Sequence, residues 1–138
     1  KQFEWFVRYP GPDGLFGNTI AEKVHDARNP IGLDKRDPAA QDDIVLRGRL
    51  HLPVDRQVVV RLRSQDVLHS FTVPEFRVKQ DVVPGFLGRT QFVPVKTGQY
   101  ELACAELCGL GHYKMKATVT VSTDEEFRAW LKDQDTWF

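Results

Sequence analysis

The chain of 138 residues is poor in sulfur, with two cysteines and one methionine. All three lie between positions 104 and 115, as Cys104, Cys108 and Met115, and His112 lies among them. A disulfide between the two cysteines would close a very short loop, stabilise the fold little and leave His112 and Met115 without a role. The crowding of these side chains instead suggests a metal site.

The chain also lacks net charge and long apolar runs. Its 19 basic and 19 acidic side chains cancel, so charge favours neither nucleic acid nor an anionic membrane as a partner. No apolar stretch approaches the length that spans a bilayer, and no signal peptide is recognised. The length and a hydrophobic content of 41% are typical of one soluble globular domain. Because position 1 is Lys1 rather than methionine, we expect a processed chain or an excised piece.

The chemical types of the four clustered side chains indicate which metal they bind. Thiolate, imidazole and thioether together favour copper, since hard cations prefer oxygen and structural zinc sites rarely use methionine. A zinc site completed by a distant histidine is one alternative. A mononuclear blue-copper site is another, but it uses one cysteine and two histidines. Two thiolates fit better a pair of copper ions bridged by both sulfur atoms.

Such a pair needs a second histidine, and the chain offers His25, His51 and His69. His51 belongs to an alternating stretch and is expected on the solvated face of a strand. His25 lies in a polar region rich in turn residues, which favours an exposed loop. His69 lies in an apolar stretch, where a neutral imidazole needs a partner, so it is the best candidate ligand.

These residues resemble a known family, the copper-A domain of cytochrome c oxidase subunit II. The resemblance rests on Cys-x-Glu-x-Cys-x-x-x-His-x-x-Met at 104–115 and on Asp-Val-Leu-His-Ser at 66–70, with Val-Val-Pro-Gly at 82–85 between them. It covers nearly the whole chain as far as Val121.

The resemblance implies a ligand set for two copper ions. The implied ligands, in chain order, are His69, Cys104, Glu106, Cys108, His112 and Met115. Both cysteine sulfurs would bridge the ions. One ion would add His69 and Met115, and the other would add His112 and the backbone carbonyl of Glu106.

The residue between the two cysteines separates two classes of protein. Nitrous-oxide reductases have a similar domain but usually carry an aromatic residue where this chain has Glu106, so the resemblance favours an oxidase. In oxidases the matching glutamate also faces a magnesium or manganese site shared with subunit I, and we expect the same of Glu106. The alternatives are a copper-A domain of a nitrous-oxide or nitric-oxide reductase, and a module that binds a single copper or zinc ion.

The resemblance also implies a function, a location and partners. The domain would accept electrons from cytochrome c and pass them to haem in subunit I of a haem-copper terminal oxidase, while transforming no substrate itself. The full subunit would be anchored by N-terminal helices, with this domain on the periplasmic face of the bacterial inner membrane. In the family's Gln-Trp-x-Trp stretch the first tryptophan admits electrons. This chain departs from that pattern, since Phe3 stands at the position of the first tryptophan, and Trp5 matches the second. Phe86 and Leu87 are candidates for an apolar docking patch.

The hydrophobic pattern predicts mostly strands. Residues 1–9 are expected to form an aromatic strand, 10–43 a long ordered loop with a short helical turn, 44–121 the strand core with the metal loop, and 123–134 a helix. Ile44–Leu52 and Gln57–Ser64 alternate around a turn, which predicts an antiparallel pair. Many short strands predict an all-β Greek-key sandwich or barrel, and the resemblance specifies a single cupredoxin-like domain over 1–138 with a short C-terminal helix.

Overall fold

A computed structural model of the chain describes residues 1, 4–25, 27–104 and 115–136. Those residues form strands, three short 3₁₀ turns at Ala21–Lys23, Pro38–Ala40 and Pro74–Phe76, and one α-helix, α1, at Asp124–Lys132. The strands are β1 Phe6–Tyr9, β2 Ile44–Arg47, β3 Arg49–Pro53, β4 Val58–Leu62, β5 His69–Val73, β6 Val78–Val82, β7 Gly88–Phe92, β8 Gly98–Cys104 and β9 Lys116–Ser122. The predicted all-β class with one C-terminal helix is confirmed.

The chain divides into two compact units. The larger unit comprises Lys1–Trp5 and Gly48–Leu131, and the smaller unit comprises Phe6–Arg47 and Lys132–Phe138. The prediction of a single domain over the whole chain stays a prediction.

A five-stranded sheet in the order β3-β9-β8-β5-β6 forms the larger unit, with β4 and β7 paired as a separate ladder. Neighbouring strands in the sheet are antiparallel except for β3 and β9, which are parallel. Side chains alternate between the two faces of a strand, so in β9 Ala117, Val119 and Val121 are buried while Lys116 and Thr118 are exposed. The buried apolar side chains of this unit include Leu50, Leu52, Leu62, Phe71, Val73, Val82, Leu102, Ala117, Val119 and Val121.

The register of the sheet brings three strand ends together. His69, the first residue of β5, pairs with Val82 at the end of β6, while Phe71 pairs with Cys104 at the end of β8. Ala103 pairs with Lys116, the first residue of β9. The end of β8 and the starts of β5 and β9 therefore meet at the same end of the sheet.

The smaller unit has its own short ladder and its own core. β1 and β2 are antiparallel, and a buried cluster of Leu33, Ala40 and Val45 packs against Phe6 and Ile31. The long segment before β2 contains two of the 3₁₀ turns, in agreement with the short helical turn expected there.

A buried carboxylate, Asp43, joins the two ends of this long segment. Its side chain contacts the guanidinium of Arg8 at 3.2 Å and accepts a hydrogen bond of 2.9 Å from the N–H of Gly17. Burial raises the pKa of Asp43 above its ordinary value, while the hydrogen bond from Gly17 and the charge of Arg8 oppose that rise. These contacts order a segment that is poor in regular structure.

The predicted antiparallel pairing of Ile44–Leu52 with Gln57–Ser64 is wrong. The first stretch is broken at Gly48, whose φ of 65° lies in the left-handed region that interrupts a pleated strand. Its two halves become β2, which pairs with β1, and β3, which pairs with β9. β4 pairs instead with β7.

The C-terminal helix α1 begins with the predicted capping pair. The hydroxyl of Thr123 accepts a hydrogen bond from the N–H of Glu126 (3.2 Å) and donates one to the Glu126 carboxylate (2.9 Å). Phe127 and Trp130 face the imidazole of His51, with ring centroids at 5.8 and 4.4 Å. No helix in the described part of the chain is long and apolar enough to cross a membrane.

Candidate metal centre

His69 is the residue around which the described part of the centre is arranged. Its side chain lies at the start of β5, and the residue is only 1% exposed. One ring nitrogen, Nε2, lies 2.9 Å from Oδ1 of Asp66, and the other, Nδ1, lies 4.0 Å from Sγ of Cys104. The imidazole is thus held between a carboxylate and a thiol.

The carboxylate of Asp66 selects the tautomer of this imidazole. A carboxylate accepts hydrogen bonds, so the pair is satisfied when Nε2 carries the proton and Nδ1 keeps its lone pair on the side of Cys104. Asp66 Oδ1 also accepts the N–H of Val67 at 2.7 Å, and the hydroxyl of Ser64 donates to the carbonyl of Val67. The turn before β5 therefore fixes the carboxylate that orients His69.

Cys104 ends β8 as a buried cysteine. Its sulfur accepts a hydrogen bond of 3.4 Å from the N–H of Ser70, the residue after His69. This contact fixes the position of the sulfur next to His69. Cys104 and His69 are therefore placed by the same pair of neighbouring strands.

Met115 immediately precedes β9 and is 1% exposed. It shares a buried cluster with Cys104, against which Trp5 and Val67 pack. Its carbonyl oxygen accepts two hydrogen bonds, from the N–H of Cys104 at 3.2 Å and from Nε1–H of Trp5 at 3.1 Å. The thioether is thus on the chain segment that leaves the centre, next to the thiol on the segment that enters it.

The donor set fits a soft metal ion. The 4.0 Å between Nδ1 of His69 and Sγ of Cys104 is within the sum of one metal–nitrogen and one metal–sulfur bond, about 4.3 Å. Imidazole, thiolate and thioether are the ligands that copper accepts together. Within residues 1, 4–25, 27–104 and 115–136, no group of three or more His, Cys, Asp or Glu side chains forms a metal cluster. Met115 is not one of those four residue types.

Several predicted site residues lie outside the described part of the chain. They are the three remaining predicted ligands, Glu106, Cys108 and His112, and the aromatic residue Phe3. Their positions in the centre stay predictions. The structure does bring together the three predicted ligands that it describes.

The aromatic residues predicted for electron acceptance and docking have different environments. Trp5 is half-buried, with its ring centroid 6.4 Å from that of His69 and 5.9 Å from that of Phe71 in an edge-on contact. Phe86 is 71% exposed and Leu87 is also exposed. Both follow β6, whose last residue, Val82, pairs with His69. They therefore lie at the same end of the sheet as the centre.

The other two described histidines have different environments. His25 is exposed, as predicted. His51 is half-buried rather than fully solvated as predicted, because α1 packs against it: the ring contacts Trp130, and Nε2 lies 2.7 Å from Oγ of Ser122. Burial lowers the pKa of His51, while the charge of Glu126 opposes that shift.

Sequence reasoning missed two residues that hold the ligands. Asp66 belongs to the motif at 66–70 but received no role, although a carboxylate three residues before a buried histidine is a recognisable signal. The hydrogen bond from Trp5 to Met115 joins residues 110 positions apart, and no local pattern could indicate it.

A family model described as cytochrome c oxidase subunit II, periplasmic domain, matches residues 34–122 of this chain. The alternative cytochrome c oxidase subunit 2 of Bradyrhizobium diazoefficiens is 46% identical over 138 residues, which cover 99% of this chain and 50% of the relative. The chain thus spans about half the length of this curated relative.

Solved structures match as well. The crystal structure of the periplasmic domain of subunit II of cytochrome oxidase from Bradyrhizobium japonicum superposes with a TM-score of 0.62 and 30% identity, covering 70% of this chain and 80% of that one. A mixed disulfide between a thioredoxin-like protein and subunit II of cytochrome c oxidase matches with a TM-score of 0.58 and 31% identity, covering 70% of this chain and 77% of that one. The predicted cupredoxin-like fold is confirmed.

Proposed function

Since the chain belongs to the family of cytochrome c oxidase subunit II periplasmic domains, we propose that it relays electrons through a two-copper centre in a haem-copper terminal oxidase. Cytochrome c is the proposed donor and haem in subunit I is the proposed acceptor. The observation that carries this proposal is the meeting of His69, Cys104 and Met115 in one buried place.

The proposed ligand set combines these three residues with three from the adjoining segment. Cys104 and Cys108 would bridge both ions, His69 and Met115 would complete one ion, and His112 with the carbonyl of Glu106 would complete the other. The softness of the described donors and their 4.0 Å nitrogen–sulfur separation support this assignment. The side chain of Glu106 is proposed to face a magnesium or manganese ion at the boundary with subunit I.

When bound, the copper pair supplies reversible one-electron redox chemistry. The chain's own residues hold the ligands and exclude water. Asp66 orients the imidazole of His69, and the N–H of Ser70 fixes the sulfur of Cys104. Because these contacts come from a stiff sheet rather than from the metal, the ligand geometry changes little between oxidation states, which lowers the barrier to electron transfer.

The family also supports a location. Its description as periplasmic, and relatives about twice as long as this chain, favour a periplasmic domain of a subunit anchored in the inner membrane by helices of its N-terminal part.

The exposed apolar residues after β6 are the proposed docking patch for cytochrome c, since transient redox complexes use small interfaces. We expect Phe86→Asp to slow bimolecular reduction by cytochrome c roughly tenfold, because it places an unpaired charge in an apolar contact. Val95→Asp is the matched control: Val95 is 78% exposed but lies between β7 and β8, at the other end of the sheet. Equal rates for the two variants would remove the docking patch from this site.

The two cysteines also suggest an assembly partner. If Cys104 and Cys108 were first oxidised to a disulfide, that disulfide would have to gain two electrons and two protons before both sulfurs could bind copper. A thioredoxin-like dithiol supplies both as it forms its own disulfide, by way of a mixed disulfide. The thioredoxin-like complex of a related subunit II supports this class of partner for the present chain.

The deciding experiment is electron paramagnetic resonance of the oxidised, copper-loaded chain together with metal analysis. We expect two copper ions per chain and a hyperfine pattern from one spin shared equally by two copper nuclei. His69→Gln should abolish that pattern, whereas His25→Gln, which changes an exposed histidine of the smaller unit, should keep it. A single-nucleus pattern, or a silent sample that contains zinc, would contradict the proposal and favour a mononuclear binding module.

A further inference from the structure

The carbonyl oxygen of Met115 accepts hydrogen bonds from two different parts of the chain. The N–H of Cys104 donates to it at 3.2 Å, and the indole Nε1–H of Trp5 donates at 3.1 Å. A carbonyl has two lone pairs, so both acceptor positions are used. The segment that carries Met115 is therefore tied both to Cys104 and to a residue far away in the chain.

Trp5 is itself held firmly. Its carbonyl accepts the N–H of Gly48 at 2.9 Å, its ring meets Phe71 edge-on at 5.9 Å, and it packs against the buried cluster of Cys104 and Met115. An indole has only two side-chain torsions, so an anchored tryptophan is a rigid donor. The position of the Met115 backbone is thus set by the larger unit and not by the side chain of Met115.

We propose that Trp5 is a positioning residue of the metal centre, which fixes the backbone of Met115 beside Cys104 and so places the thioether. This inference rests on the proposed function. It gives Trp5 a role that differs from electron acceptance, because a positioning residue changes the energetics of the centre and a conducting residue changes only the rate at which electrons reach it. The part of Trp5 that carries this role is the indole N–H, which donates to the carbonyl of Met115, and not the aromatic ring.

The test is Trp5→Phe in the whole chain, since phenylalanine keeps an aromatic ring and removes the N–H. We expect copper affinity to fall about tenfold, as is typical when a hydrogen bond behind a ligand is lost. The copper hyperfine splitting and the reduction potential should also differ from those of the unchanged chain. Trp130→Phe is the matched control, because Trp130 lies on α1 and packs on His51 and Phe127. This substitution should alter none of the three quantities.

The opposite result would overturn the inference. If Trp5→Phe kept the affinity, the hyperfine splitting and the potential and only slowed reduction by cytochrome c, then Trp5 would be a conducting residue. The same values with an unchanged rate would leave it with no role in the centre.

A measurement without metal separates this inference from the proposed function. By nuclear magnetic resonance of the metal-free chain, the indole N–H of Trp5 should exchange slowly with solvent, and Trp5→Phe should speed exchange of the Cys104 amide that shares the same carbonyl. Exchange of the Trp5 indole at the rate of a free indole would contradict the inference even if two copper ions bind. Slow exchange in a chain that fails to bind two copper ions would contradict only the proposed function.

Discussion

Replacing Asp66 by asparagine tests whether the carboxylate behind His69 prepares the centre for metal. Asparagine has nearly the same shape, and its amide oxygen can still accept the hydrogen bond from Nε2. What disappears is the negative charge, 2.9 Å from the imidazole nitrogen. The substitution therefore isolates the electrostatic part of the contact.

The size of the effect follows from the burial of the two partners. A hydrogen bond to a charged group contributes about 1.5–3 kcal/mol when both partners are shielded from water. The His69 side chain is 2% exposed, but that of Asp66 is 30% exposed, so solvent screening reduces the contribution. We take about 1–2 kcal/mol, which corresponds to roughly a 5- to 30-fold loss of copper affinity.

The assay is a competition titration of copper against a chelator of known affinity. Asp81→Asn is the control for the loss of one negative charge. Asp81 is exposed on β6, where it pairs with Ser70 of the neighbouring strand β5. We expect Asp66→Asn to weaken binding clearly more than Asp81→Asn. Equal affinities for the two variants would show that the carboxylate does not act through the imidazole, and the argument for a prepared ligand would fail.

Two further predictions concern stability in urea unfolding. Burial lowers the pKa of His51 below its ordinary value of 6.5, so its stabilising effect is complete above that pH and is lost as the pH falls. His51→Gln should therefore flatten the profile of stability against pH between pH 8 and 5.5, and an unchanged profile would contradict this assignment. Gly11 and Gly14 both have positive φ, but a Cβ added at Gly11 would clash with the carbonyl oxygen of Asp42, whereas one added at Gly14 would meet nothing within 4 Å. Gly14→Ala should therefore cost about 1–2 kcal/mol and Gly11→Ala more, and equal costs would contradict the crowding.

Local patterns predicted the strands but not all of their partners. Alternation of apolar and polar residues predicted strands at Ile44–Leu52 and Gln57–Ser64, where the structure has β2, β3 and β4, because burial of one face imposes a period of two. The same alternation ran straight across Gly48, where the chain turns into a left-handed conformation and changes neighbours. Which strands pair depends on contacts between distant segments, so a parallel neighbour for β3 could not be read from its own sequence.

That His69, Cys104 and Met115 lie together could be predicted for a different reason. Cys104 and Met115 lie within twelve positions of each other, and His69 is conspicuous as an imidazole in an apolar stretch. The partial burial of His51 was not predictable. The strand alternation placed His51 on an outer face, and its burial comes from the packing of α1 against that face. Sequence patterns show which side of a strand a residue occupies, and tertiary structure decides whether that side meets water.

The three predicted ligands that the structure describes are each held by a residue that is not itself proposed to bind metal. Asp66 holds His69, Ser70 holds the sulfur of Cys104, and Trp5 holds the backbone of Met115. Because these contacts exist in the protein alone, the cost of ordering the donors is met during folding rather than during metal binding. Each holding residue should therefore affect copper affinity and redox properties more strongly than it affects the stability of the metal-free chain. A metal site assembled only on binding would show the reverse, with its geometry following the metal and little sensitivity to Asp66 or Trp5.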